Sequence, residues 1–412
     1  MSETVPSRVV GHEEAAAVVR EEAARARAAA GARAAESLPL VSAAGRVLAR
    51  PVSADRDQPP FPRSTRDGYA CRAADLASGP LRVIGQVRAG ESWPGGLMGP
   101  GEAVEIMTGS GVPAGADCVV MVEHVVLAAG HISMTGPREL AAGENIVPIG
   151  AEARAGDVAI AAGARIGISS IGAAAASGAA EVMVFERPRV AILATGDELV
   201  EVTQDPLPYQ IRNSNSYSLA AQVAAAGGEA VLFPIVRDDA RKTRDAILRA
   251  AECDLLLLTG GVSMGKFDFV EEALRAEGAE FFFTGARIQP GKPVVFGKLP
   301  AQYFFGLPGN PISTMVTFAL FAAPLLRALG GESDYGAKFS MARLEEEVSV
   351  KPGLTRFLPA RTDSDFRGAR VRRVAWQGSG DLAAAARANA FLVVPETAER
   401  LEAGEIVSLL EL

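Results

Sequence analysis

The chain has little of what builds metal centres or disulfide frameworks. Its 412 residues include three cysteines, Cys71, Cys118 and Cys253, and three histidines, His12, His124 and His131. The cysteines are far apart and none forms a C-x-x-C pair, which argues against a disulfide framework or a zinc site and fits a reducing compartment. The histidines show no ligand spacing and are expected on the surface or in loops. Net positive charge is also lacking. The formal charge is -8, which argues against general nucleic-acid binding. The acidic N-terminus has no apolar h-region, and no apolar run reads as long enough to span a membrane; residues 171–184 are too short and too rich in Ala and Gly. Together these readings predict a cytoplasmic protein with neither a membrane nor a nucleic-acid partner.

What is present is apolar content of 49% over a length that suits several domains. Residues 11–30 predict an Ala-rich helix. Between 67 and 145, short β-like runs alternate with glycines. From 189 to 329, predicted strands at 190–194, 230–235, 255–258, 281–283, 294–296 and 303–305 alternate with predicted helices at 216–226, 240–251, 269–277 and 312–329. Such alternation predicts a mostly parallel sheet covered by helices. After Gly330-Gly331 the pattern is β-like again. The expected architecture is therefore multidomain α/β plus β. Residues 1–50 and 145–187 form a discontinuous helical and linking unit, 51–144 a small β domain, 188–330 the α/β domain and 331–412 a C-terminal β domain.

Three glycine-bearing loops fall at predicted strand ends: Thr195-Gly196-Asp197-Glu198, Thr259-Gly260-Gly261 and Leu307-Pro308-Gly309-Asn310. Ligands of open α/β sheets bind at that edge. Glycines let backbone N–H groups approach an anion, and a following helix start adds partial positive charge. Asp268, with Glu271 three residues on, has the spacing of a capping box. Gly260 to Lys266 also has the G-x-x-x-x-G-K spacing of a nucleotide P-loop, but Phe267 stands where a hydroxyl would hold magnesium. A glycine turn serving only packing is the plain alternative.

In order along the chain come Ser64-Thr65-Arg66-Asp67-Gly68-Tyr69-Ala70, Ile106-Met107-Thr108-Gly109, Gly143-Glu144-Asn145-Ile146 and Thr195-Gly196-Asp197-Glu198-Leu199. Arg237-Asp238-Asp239, Gly260-Gly261-Val262-Ser263-Met264-Gly265, Pro290-Gly291-Lys292-Pro293, Leu307-Pro308-Gly309-Asn310-Pro311 and Gly378-Ser379-Gly380-Asp381-Leu382 follow. In this order the motifs resemble the MoeA family, the molybdopterin molybdenumtransferases of molybdenum cofactor biosynthesis, over nearly the whole chain.

The resemblance implies a central molybdopterin-binding-type α/β domain and insertion of molybdate into adenylylated molybdopterin with release of AMP, assisted by Mg2+. It implies a homodimer whose cleft lies between the α/β domain of one subunit and the small β domain of the other. Molybdopterin adenylyltransferase and molybdoenzyme chaperones are the further partners. The residues suit that chemistry. Glu198, Asp238 and Asp268 are carboxylates near strand ends, where magnesium takes hard oxygen ligands; as loop residues, each also serves as a cap or a solvated side chain. Gly260, Gly261, Ser263 and Gly265 offer donors to phosphate, and Pro308, Gly309 and Asn310 in the family's last loop are expected to bind substrate. Asp67 and Thr108 match the functional Asp and Thr of the small β domain, Ser379 matches a C-terminal serine, and Lys292 offers charge to an oxyanion. The chain departs from the pattern at Thr65-Arg66, which replace Ala-Met, at Val147 and Glu152, which stand for an Arg and an Asp, and at Gly285 and Gln289, which stand for two lysines. Arg287, between them, is expected to compensate. A molybdopterin adenylyltransferase, which carries TGGTG in this loop, and a non-catalytic binding protein on the same fold are the competing readings.

Overall fold

The computed structural model describes residues 8–261 and 269–412. At its centre is a six-stranded sheet: β1 (Arg189–Ala194), β2 (Glu229–Leu232), β3 (Leu255–Thr259), β4 (Glu280–Phe283), β5 (Val295–Lys298) and β6 (Tyr303–Leu307), in the order 2-1-3-6-5-4. The pairings β2–β1, β1–β3 and β3–β6 are parallel. Those of β6 with β5 and β5 with β4 are antiparallel. The sheet is therefore mixed: against the expectation of a mostly parallel sheet, three of its five pairings are parallel and two antiparallel. The reason is local: only residues 299–302 separate β5 from β6, too few for a parallel crossover.

The leucine run in β3 follows from burial on both faces. Leu255 and Leu257 point into one core with Ile192, Phe305 and Phe321. Leu256 and Leu258 point into the other with Leu193, Ile247 and Phe304. All four leucines are fully buried, each contributing about 1.5–3 kcal/mol over an exposed position. The second core is covered by helices Ala240–Ala250 and Phe269–Ala276.

The first core takes in the helix His12–Ala29 through Ala15, Val19, Ala23 and Ala26. The sequence grouped this helix with the discontinuous N-terminal unit, but its apolar stripe lies on the α/β core. Glu22 on the same stripe is buried and accepts a hydrogen bond from the Tyr303 hydroxyl at 3.0 Å; burial and this carboxylate push the phenol up to about 12. His12 is not a plain surface residue either. It opens the helix, half-buried, with its ring edge-on to Phe357, and burial lowers its pKa.

The segment Pro311–Leu329 is long and apolar enough to cross a membrane, contrary to the sequence reading, and is mostly buried in this core. A π-turn at Phe318–Ala322 interrupts it just before Pro324, where a proline ring cannot fit against the carbonyl one turn back.

The rest of the chain hangs on this unit. Strand Ala35–Pro39 pairs with Glu181–Phe185, and Val52–Ser53 with Val158–Ile160. Between them is a six-stranded β unit containing Gly68–Cys71, Leu81–Val87, Glu102–Ile106 and Cys118–Met121. Cys71 and Cys118, distant in sequence, are cross-strand partners here, both free and buried, with sulfurs 3.7 Å apart. At the C-terminus, Thr355–Asp365 pairs with both Gly368–Arg373 and Ala390–Val394, closing a ring with Phe339–Leu344 and Ile406–Glu411. The sequence reading lacked this long strand. Pro359 and an exposed, polar second half hide its β pattern.

Arg33 ties the N-terminal segment to the sheet. Its guanidinium donates to both carboxylate oxygens of Asp254, at 2.8 and 3.0 Å, and Arg189 N–H adds a third bond at 2.7 Å. Burial alone would raise the Asp254 pKa, but the bonds from Arg33 and Arg189 outweigh it and lower it. Stabilisation from this group is therefore full above the unfolded-state carboxylate value and is lost as pH falls through the lower folded-state value. We expect Asp254→Asn to lower the thermal midpoint at neutral pH and the gap to the native protein to close under acid, in melting curves recorded from about pH 7 to about pH 2. A gap independent of pH would refute this assignment.

Candidate functional site

The carboxyl ends of β1, β3 and β6 lie level, since Ala194 pairs with Thr259 and Thr259 with Leu307. The loops that leave them form the wall of a cleft of ≈ 670 Å³, lined by Thr195, Glu198, Gly260, Pro308, Gly309 and Asn310 among others. A second cavity of ≈ 460 Å³ shares Pro293, Pro308 and Asn310 with it and adds Lys292, Trp376 and Ser379. Gly380 and Leu382 of the C-terminal unit also line the larger cleft, and Ile312 N–H donates to Ser379 O at 2.9 Å across this boundary.

Loop 307–311 is fastened from beneath. Pro308 O accepts from the Thr314 hydroxyl at 2.6 Å and from the Thr259 hydroxyl at 3.4 Å. Gly309 O accepts from the Asn215 amide at 2.7 Å, and that amide also donates to the Thr259 hydroxyl at 2.9 Å. In a trans peptide the N–H points opposite the carbonyl. The N–H groups of Gly309 and Asn310, which share peptide planes with these carbonyls, therefore point away from the groups that pin the loop. Helices Asn215–Ala225 and Pro311–Thr317 also begin on the cleft wall, adding partial positive charge. This is an anion-binding edge built from backbone.

Gly260 shows why the second loop needs glycine. Its φ is +87°, and a Cβ there would lie 2.4 Å from Thr195 O. Glu198 folds back over Gly196, where a Cβ would lie 2.5 Å from its Oε2.

The predicted residues do not all converge. Glu198, Gly260, Pro308, Gly309 and Asn310 line the larger cavity, and Lys292 and Ser379 the smaller. Gly261 continues the glycine turn with φ +64°. Ser263, Gly265 and Asp268, with the predicted cap, lie outside the described residues. Asp238 sits on an exposed loop whose N–H faces Asp197 at 3.4 Å, and it lines neither cavity. Arg287 is turned away: it pairs with Glu396 at 3.2 Å and lines a separate cavity beside Gly11 and His12, so it does not stand beside Lys292 as expected. Asp67 and Thr108 are bonded to each other, with Asp67 Oδ1 accepting from Thr108 N–H at 2.6 Å and from its hydroxyl at 2.7 Å. Those bonds lower the Asp67 pKa. Neither residue lines the two cavities. Among the described residues no three His, Cys, Asp or Glu side chains cluster as a ready metal site.

Residues 11–178 match the MoeA N-terminal region (domain I and II), 191–328 a probable molybdopterin binding domain and 341–412 the MoeA C-terminal region (domain IV). A molybdopterin molybdenumtransferase of Staphylococcus aureus is 33% identical over 91% of each chain. The chain belongs to the MoeA family. A relative of the same name from a Nostoc species is 38% identical over 72% of this chain and 70% of its own. Two crystal structures of a molybdopterin biosynthesis moeA protein from Pyrococcus horikoshii extend the likeness to the fold. One is 32% identical with a TM-score of 0.71, covering 98% of this chain and 99% of that one. The other is 28% identical with a TM-score of 0.78, covering 98% and 100%.

Within this MoeA-family cleft, sequence reasoning missed Asn215, Thr259 and Thr314, whose side chains fix the loop, and Arg212, which lines it. The run Asn213-Ser214-Asn215-Ser216 ahead of a helix was the available signal.

Two glycine substitutions separate backbone need from mere smallness. Gly260→Ala is expected to cost about 1–3 kcal/mol from its left-handed conformation alone, to lower the thermal midpoint and to damage activity. Gly309→Ala should be tolerated in stability, since its nearest neighbour would be Gly260 Cα at 3.7 Å. Melting curves of both variants check this, and equal losses would contradict it.

Proposed function

We propose that the cleft holds adenylylated molybdopterin and that the protein inserts molybdate into it, releasing AMP. Membership of the family makes the chain a transferase of molybdenum cofactor biosynthesis. The observation that supports the substrate assignment is the pinned loop 307–311, whose two N–H groups point away from the groups that pin it, beside two helix starts at one sheet edge.

In this reading the N–H groups of Gly309 and Asn310 hold the phosphoanhydride, and the turn at Gly260 lets the backbone approach it. The smaller cavity, with Lys292 and Ser379, receives molybdate next to the pterin end. Lys292 is the only cationic side chain among the described residues lining that cavity, so it carries the attraction for the dianion. Magnesium suits the donor chemistry: Glu198 presents carboxylate oxygens to the cleft, and such an ion commonly takes one or two carboxylates together with substrate phosphates. Of the three carboxylates proposed to hold it, Glu198 lines the cleft, Asp238 lies on an exposed loop outside both cavities and Asp268 is outside the described residues. When bound, the ion would polarise the phosphate.

The acidic Asp67–Thr108 pair is proposed to serve the cleft of a second copy, making the active form a homodimer. Its oriented carboxylate lies outside the cavities of its own subunit, which suits a role in trans. The same reading has the protein act in the cytoplasm, after a molybdopterin adenylyltransferase and before chaperones that load molybdoenzymes.

The deciding assay supplies adenylylated molybdopterin, molybdate and magnesium and scores AMP and active cofactor. No AMP, with adenylylated product formed instead from ATP and molybdopterin, would make it the adenylyltransferase. Lys292→Gln is expected to raise the molybdate concentration for half-maximal insertion roughly tenfold, the loss of about one charge-assisted hydrogen bond, with a smaller effect on the pterin. An unchanged molybdate titration rules out the role given to Lys292. Mixing Asp67→Ala with Glu198→Ala subunits should restore activity through heterodimers with one intact site; none regained, with exchange verified, removes the shared cleft.

A further inference from the structure

Anion capture in the larger cleft has a charge problem that backbone N–H groups do not fully solve. Glu198 brings a negative charge to its wall, and the chain is acidic overall. Among the described residues lining this cavity, Arg212 is the only cationic side chain. Its position is set by the core of the site. The short strand Ile211–Arg212 pairs with Leu199–Val200, directly after Glu198. Ile211 N–H donates to Glu198 O at 2.9 Å and Asn213 N–H to Val200 O at 2.9 Å, and Asn215 then opens the helix that pins Gly309.

Its side chain is only loosely engaged. The guanidinium donates to Gln204 O at 3.1 Å and to Asp205 Oδ1 at 3.4 Å. Asp205 is fully exposed and Arg212 is 48% exposed. A water-exposed pair of this kind is easily exchanged for a better anion. A guanidinium fork matches two phosphate oxygens as an ammonium does not.

We propose that Arg212 is the substrate-binding residue that clamps the phosphate chain of the adenylylated pterin, leaving Gln204 and Asp205 to do so. This rests on the reading of the cleft given above. It assigns the two cations to different anions: Arg212 to phosphate in the larger cavity and Lys292 to molybdate in the smaller.

AMP and ADP serve as probes, titrated calorimetrically into the full-length protein at low and at about 0.3 M salt, where charge contacts at the surface are screened. The native protein should bind ADP more tightly than AMP. Arg212→Gln should weaken ADP roughly tenfold or more, as expected for a lost charged hydrogen-bond pair, and should flatten the salt dependence. Arg212→Lys should keep the salt dependence but recover only part of the affinity. The exposed Arg372, far along the sequence on the C-terminal ring, gives a control in Arg372→Gln that should leave both affinities unchanged. Melting curves confirm folding of each variant. Native-like ADP binding and salt dependence in Arg212→Gln would overturn the proposal and leave the cleft reading intact, even if stability falls, because Arg212 would then only fasten its own loop. Failure of the native protein to bind either nucleotide would overturn the cleft reading and the proposal with it.

Discussion

The site depends on the register of one strand. β3 is held between β1 and β6 so that Thr259 lies level with Ala194 and Leu307. Every residue of β3 is buried, so sliding it by one position would exchange the side chains facing two packed cores. The same alignment brings three loops to one level and joins them: Thr195 N–H donates to Thr259 O at 2.9 Å, and the Thr259 hydroxyl meets both Asn215 and Pro308 O. Thr259 is therefore at once the last residue of the core strand and the hub of the cleft floor.

From that alignment follows a way for an acidic chain to hold acidic substrates. Backbone N–H groups and helix starts carry no net charge and never titrate, so they attract phosphate without adding cations. The described lining holds one cationic side chain in each cavity, Arg212 and Lys292.

Interdomain ties set how the cleft is framed. Arg165 donates to both oxygens of buried Glu332 and to the carbonyls of Gly45 and Ala226, linking the discontinuous unit to the α/β unit. Ile288–Gln289 pairs with Thr355–Arg356, and Ile312 N–H reaches Ser379 O, so the C-terminal ring is seated against the cleft. These contacts place Gly380 and Leu382 on its wall and Ser379 on that of the smaller cavity.

Much of this was legible in the sequence because it is local. The leucine run of β3, the alternation of strand and helix, and the glycines at strand ends each reflect burial or backbone geometry over a few residues. The ordered motifs pointed to the MoeA family, and Glu198, Gly260, Gly309, Lys292 and Ser379 do line the two cavities. What the sequence could not determine was pairing. The short β5–β6 hairpin turned part of the sheet antiparallel, Arg287 met Glu396 from another unit, and Cys71 met Cys118 across a sheet. The N-terminal helix joined the α/β core because an apolar stripe does not name its partner. The sequence by itself determined most strands and helices of the α/β unit and its glycine turns, since those follow from neighbours along the chain, but not the strand Thr355–Asp365. Only the tertiary structure decided that Asn215, Thr259 and Thr314 converge on one loop and fix its carbonyls, since that depends on register between strands more than forty residues apart.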